Sequence, residues 1–131
     1  LGILPTEGAK ELATKINDYL MSWFYAAHPE AMDDPDVRSS LLIQASFPRF
    51  LSGDGKCVLN ETVRGDDIYI VVDVGNYSIE YSMFGKKVPM SPDDHFQDLK
   101  RVICAVGGKA HRINVIMPIL YGGRQHKRSA R

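Results

Sequence analysis

Four cations crowd the last eight residues of this 131-residue sequence: Arg124, Lys127, Arg128 and Arg131 follow Tyr121-Gly122-Gly123. Guanidinium and ammonium groups on a glycine-led loop suit phosphate oxygens, Arg through its planar fork and Lys as a point charge. The run before them, Ile113-Asn-Val-Ile-Met-Pro-Ile-Leu120, is apolar and rich in β-branched residues, and it reads as a buried strand. Such a strand delivers the cationic loop to the carboxyl end of a sheet, where the ligands of open α/β sheets collect. A loop of this kind ordinarily returns into its fold, so we expect the sequence to be the front part of something longer.

A second loop, Phe47-Pro-Arg-Phe-Leu-Ser-Gly-Asp-Gly-Lys56, sets an aromatic ring and short polar side chains beside two glycines. Its Gly53-Asp-Gly-Lys56 lacks the spacing and the Ser/Thr of a Walker phosphate loop. Asp33, Asp34 and Asp36 lack the glycine and distal glutamate of a calcium loop and read as an exposed connection. Cys57 and Cys104 stand alone, which argues against zinc or a disulfide framework, fits a reducing cytosol and reads as two buried thiols. No metal site is expected from these residues. Asp73, closing an apolar run, is suited equally to function and to a turn. His95, beside a first-turn aspartate, reads as a capping or exposed side chain rather than a ligand.

The elements that must hold these loops follow from periodicity. Thr6 can cap a helix over Glu7 to Ala26 whose Leu12, Ile16, Tyr19, Leu20, Trp23 and Phe24 share one side and are expected in the core. Leu41 to Ala45 and Ile68 to Asp73 read as further strands, Cys57 to Val63 as weakly strand-like, and Gly75 to Pro89 as irregular. Ser91-Pro-Asp-Asp94 opens a helix over Asp93 to Val106, carrying Phe96, Leu99, Ile103 and Val106 inward and ending at Gly107-Gly108. Strands alternating with helices give an α/β domain with a mostly parallel sheet flanked by helices. Lys plus Arg equals Asp plus Glu at 16 each, so no overall field points to nucleic acid or membrane, and the basic tail is a local feature. With no signal-peptide pattern and no run long enough to span a bilayer, a soluble, cytoplasmic protein is expected.

Phe50-Leu-Ser-Gly-Asp54, Val63-Arg-Gly-Asp-Asp-Ile-Tyr-Ile70, Asp98-Leu-Lys100, Ile113-Asn-Val-Ile-Met-Pro118 and Tyr121-Gly-Gly-Arg-Gln125 occur in this order. From about Phe50 to its last residue the chain resembles ribose-phosphate pyrophosphokinase, the phosphoribosyl pyrophosphate synthetase family. There an F-S-N-x-E loop precedes V-R-G-x-D, and I-P-Y-x-x-Y leads into A-R-Q-D-[RK]-K. The resemblance implies a phosphoribosyltransferase type I-like, Rossmann-like domain, with residues 1–131 as the amino-terminal domain and the family's second domain absent. It implies Mg-dependent transfer of the β,γ-pyrophosphoryl group of ATP to ribose 5-phosphate, giving phosphoribosyl pyrophosphate and AMP. Arg124 and Gln125 match the family's ATP-binding pair, and Lys127, Arg128 and Arg131 would join Arg124 in supplying catalytic charge. Phe50, Ser52, Gly53 and Asp54 match the loop that reaches the adenine of a neighbouring subunit's ATP, so the resemblance also implies a homo-oligomer with shared sites. Magnesium ligands are expected mainly outside this chain, which alone is expected to be inactive. His126 in place of Asp, Ser52 and Asp54 in place of Asn and Glu, and an insertion from about Tyr77 to Pro89 mark a divergent branch. The alternative is a non-catalytic, synthetase-like module that regulates or binds subunits.

Overall fold

Ile68-Tyr-Ile-Val-Val72 offers no polar face, and only a strand covered on both sides can bury such a run. The computed structural model describes residues 1–127. The chain runs β1 (Gly2–Pro5), α1 (Lys10–Ala27), β2 (Ala45–Ser46), β3 (Val58–Leu59), β4 (Asp67–Val71), β5 (Glu80–Met83), β6 (Lys86–Pro89), α2 (Pro92–Val106) and β7 (Arg112–Ile116), with 3-10 turns at Glu7–Ala9 and Pro29–Asp33. β4 is the middle of a three-stranded parallel sheet, between β1 and β7. Ile70 stands opposite Leu4 on one side and Val115 on the other.

Each face of β4 meets one helix. Ile68, Ile70 and Val72 pack with Leu99, Val102 and Val106 of α2, and Val71 packs with Ile3, Ala9 and Ala13 under α1. Each large aliphatic side chain buried here contributes roughly 1.5 to 3 kcal/mol. α2 begins as its sequence demands. The Ser91 side chain accepts from the Asp94 amide, the Asp94 carboxylate accepts from the Ser91 amide, and Pro92 takes the first helical position. Gly107, at φ 57°, closes it in the left-handed conformation. Among the described residues no helix is long and apolar enough to cross a membrane.

Several expectations need correction. Thr6 precedes a 3-10 turn and makes no side-chain cap; its hydroxyl lies 3.4 Å from the Val71 carbonyl instead. Tyr19 and Trp23 are about two-thirds exposed (66 and 67 %) and Phe24 is exposed as well, so they are not core residues. The small residues Ala9 and Ala13 let α1 approach the sheet closely, with Ala13, Asn17 and Met21 turned inward and Leu12, Ile16 and Leu20 packed beside them, while Tyr19 and Trp23 face away. In α2 it is Val102 rather than Ile103 that reaches the core. Leu41 to Ala45 forms no strand of the parallel sheet: a single bridge joins Leu42 to Ile3, and Ala45–Ser46 turns away to pair antiparallel with Val58–Leu59. The last strand stops at Ile116, before Pro118, and β7 lies at an edge of the sheet with Val115 partly exposed. Cys57 is half-buried, and burial followed by the nearby Asp98 charge pushes its thiol up to about 11, whereas Cys104 is exposed.

The segment expected to be irregular holds a hairpin, β5 against β6, closed by Phe84-Gly85. Both tip residues have positive φ, 48° and 79°, as the tight mirror-image turn of a two-residue hairpin requires. Phe is a poor residue for that conformation, so the turn has no sequence signature.

One carboxylate fastens the loop before β3 to α2. Asp98 is 1 % exposed and accepts from Arg49 at 2.8 Å and from Arg101 at 2.7 Å. Removing it leaves two largely buried guanidinium groups without a counter-charge. Asp98→Ala is expected to cost on the order of 3 kcal/mol in urea unfolding. A loss below about 0.5 kcal/mol, the range of ordinary surface substitutions, would show that the network carries no stability.

Candidate functional site at the carboxyl ends of β4 and β7

Parallel pairing of Val71 with Ile116 sends the segments after β4 and β7 out on the same side of the sheet. After β4, Asp73 is a turn residue, its Oδ1 accepting from the Gly75 amide at 2.9 Å. Asn76 is tied three ways: its Nδ2 donates to the Gly8 carbonyl (2.8 Å), its Oδ1 accepts from the Ser78 amide (3.0 Å), and its own carbonyl accepts from His95 Nε2 (2.7 Å). After β7 the chain folds into tight turns, Gly123 N–H to Leu120 O at 3.0 Å and Gln125 N–H to Gly122 O at 2.8 Å, with Gly122 at φ 70°.

Tyr121 clamps these turns to α2. Its ring lies flat on Phe96, centroids 4.1 Å apart and planes 10° apart, and its hydroxyl donates to Asp93 Oδ1 at 2.7 Å. Between the two segments lies a cleft of about 570 Å³, lined by Val74, Gly75 and Tyr77 on one wall, Pro92 on α2, and residues 119–125 on the other wall. Arg124 is the one charged residue in that lining.

Arg124 and Gln125 both line the cleft. Lys127 is exposed and does not line it, and Arg128 and Arg131 lie outside the described residues. His126 Nδ1 lies 3.3 Å from the Arg124 carbonyl. The Phe50 loop stands apart. It is a turn closed by Phe50 N–H to Asp54 O (2.7 Å) and Gly53 N–H to Phe50 O (2.9 Å), and Ser52 Oγ donates to Asp54 Oδ2 at 2.8 Å. Phe50 is half-exposed, and Gly53, at φ 91°, takes the left-handed backbone that favours glycine, with Met83 Sδ 2.9 Å from where a Cβ would stand. None of Phe50, Ser52, Gly53 or Asp54 lines the cleft. Sequence reasoning missed Tyr77, Pro92 and Tyr121 as parts of this site, and it gave His95 a capping or exposed role, whereas the structure buries it completely. Tyr121, directly before a glycine pair, carried a usable signal; Tyr77 carried none.

The hydrogen bond to the Asp93 carboxylate, then burial, and then the Asp93 charge hold the Tyr121 phenol above its ordinary pKa. The contact therefore stabilises the clamp below the ordinary phenol range and is lost as pH rises through the raised value. In an absorbance titration of the six tyrosines, the Tyr121 phenol is expected to titrate late, and Asp93→Asn should move it down toward the ordinary range. An unchanged titration in Asp93→Asn would mean that the hydroxyl does not bond to Asp93 in solution.

All of residues 1–131 match the family model described as the N-terminal domain of ribose phosphate pyrophosphokinase. No curated protein and no solved structure matches the chain. The family match takes in β1, α1 and the other residues that precede Phe50, beyond the reach of the short motifs. A parallel sheet with a helix on each face is the architecture expected of such a domain, and the chain belongs to the family of the N-terminal domain of ribose phosphate pyrophosphokinase.

Proposed function

We propose that the cleft is this domain's share of an ATP site in a cytoplasmic protein that transfers pyrophosphate from ATP to ribose 5-phosphate. The observation that carries the reading is that Arg124 and Gln125 line the same cleft, at the carboxyl ends of two parallel strands. In the reaction the anomeric hydroxyl oxygen of ribose 5-phosphate bonds to the β-phosphorus and gives up its proton to water, the bond from that phosphorus to the oxygen it shares with the α-phosphorus breaks, and AMP leaves with that oxygen. Transfer of this kind needs positioning and charge neutralisation more than covalent help. The Arg124 guanidinium holds phosphate oxygens in its fork, and the Gln125 amide orients them by hydrogen bonding. Phe50, on a separate and half-exposed loop, stacks on the adenine of a neighbouring copy's ATP, with Ser52 and Asp54 beside it.

Magnesium belongs to the family's reaction, but among the described residues no three His, Cys, Asp or Glu side chains group to hold a metal. The cleft lining itself offers no carboxylate, so it does not fit the metal, and magnesium ligands are expected mainly outside this chain. A second reading, a non-catalytic module that binds or regulates synthetase subunits, draws support from the Ser52–Asp54 hydrogen bond, which turns the loop's two polar side chains toward each other.

Arg124→Ala should weaken ATP binding by on the order of 2 to 4 kcal/mol in calorimetry of the full-length protein, since a bidentate contact to phosphate is lost. Phe50→Ala should weaken it through the neighbour. Mixed oligomers of the two variants should regain binding, because an intact Phe50 loop can then meet an intact Arg124 loop; no recovery after confirmed subunit exchange would place Phe50 in a structural role. Residues 1–131 alone should release no AMP from ATP, Mg and ribose 5-phosphate, and turnover near about 1 per second would overturn the division of labour proposed here.

A further inference from the structure

We infer that His95 is a positioning residue that holds one wall of the cleft in place, a role resting on the nucleotide reading only for the identity of the ligand. His95 has no exposed surface, and its Nε2 lies 2.7 Å from the backbone carbonyl of Asn76. A carbonyl oxygen can only accept, so Nε2 carries the hydrogen and the ring is held as one tautomer. The other nitrogen, Nδ1, is buried with no hydrogen-bond partner among the described residues. Leu or Phe would fill this space without stranding a polar atom. What imidazole adds, and a hydrocarbon cannot, is the bond to Asn76.

Three segments meet at this ring. A Cβ added to Gly8 would stand 2.7 Å from His95 Cε1 and 3.1 Å from the Asp73 carbonyl, so the turn after β1 approaches through a residue without a side chain. Asn76 closes the circuit by donating from Nδ2 to the Gly8 carbonyl at 2.8 Å. Asn76 lies between Gly75 and Tyr77, and both of them line the cleft. The opposite wall is clamped by Tyr121 to Asp93 and Phe96. Both walls are therefore fastened to the first turns of α2, one through His95 and the other through its neighbours in sequence, and the width of the cleft is set by that helix. His95 acts on a ligand through Asn76 and touches none itself.

The test separates donor from volume. His95→Gln places an amide N–H near the position of Nε2, whereas His95→Phe keeps a ring and loses the donor. In the full chain without ligand, His95→Phe should speed amide exchange over residues 74–79 by about tenfold and leave β4 and α2 protected, and Gln should stay within about twofold of the starting protein. ATP affinity should follow, about fivefold weaker in Phe and nearly unchanged in Gln. The role is refuted if Phe matches the starting protein in exchange, or if Gln and Phe loosen β4 and α2 together, as a packing defect would. Failure of the starting protein to bind ATP would remove the nucleotide reading, while the exchange data still decide the role of His95. Should His95→Phe not fold, nitrogen NMR of the starting protein decides: an Nε2–H tautomer with a slowly exchanging proton supports the role, and an Nδ1–H tautomer overturns it.

Discussion

Parallel strands cannot be joined by tight turns, because each connection must carry the chain back from the carboxyl end of one strand to the amino end of the next. The rest of this molecule depends on that constraint. β1, β4 and β7 all point one way, so the segments following each of them emerge at one edge of the sheet. A crossover helix must also start near the edge its preceding strand has just left. The turn at Glu7–Ala9, the loop from Asp73 to Ser78 and the first turn of α2 are thus brought together by topology before any side chain is considered. His95, Asn76 and Gly8 then fix how they touch. The cleft with Arg124 on its rim is what remains between these segments and the turns after β7.

The arginines show how electrostatics sorts residues of one type into two uses. Arg49 and Arg101 share Asp98 where little water reaches, one guanidinium on each carboxylate oxygen. Such a group cannot move to a ligand without leaving the carboxylate buried and partly unpaired. Arg124 lies in solvent, and among the described residues no carboxylate forms an ion pair with it. Its backbone is held at the cleft by tight turns and by the Tyr121 clamp. The two uses cannot be told apart in sequence, where all three are simply Arg among polar neighbours.

What could be read from the sequence followed from strong local patterns. Ile68 to Val72 and the Ser91 capping box each state their structure within a few residues, and β4 and α2 lie where those patterns put them. β1 was missed because four residues, Gly2–Pro5, are too few to show a period and because their strand conformation comes from pairing with β4, sixty-odd residues away. Tyr19 and Trp23 were misplaced because helical spacing gives the existence of an apolar side but not its centre, which here was set by the small residues Ala9 and Ala13. In the cleft, Gln125 was indicated by the resemblance alone, whereas Arg124 was legible from residue type and position after a strand. His95 was not, since its burial depends on Gly8 and Asn76, both distant in sequence and neither unusual by itself.

Apart from His126, the departures from the family's motifs, which look independent along the chain, form one physical unit. The hairpin β5–β6 occupies the stretch where the resemblance indicated an insertion, and it packs against the loop in which Ser52 and Asp54 replace the usual residues. The Phe84 amide donates to the Leu51 carbonyl at 2.9 Å, Met83 fills the space a side chain at Gly53 would need, and the Tyr81 ring lies 4.9 Å from the Arg49 guanidinium carbon. Arg49 is held in turn by Asp98. A loop supported in this way from the hairpin and from α2 has less freedom than one supported from its own ends alone. With Ser52 and Asp54 bonded to each other, the loop presents Phe50 and Leu51 outward as its chief contact groups. The hairpin contact and the Ser52–Asp54 hydrogen bond therefore act in one direction: both restrict the loop and leave Phe50 and Leu51 exposed.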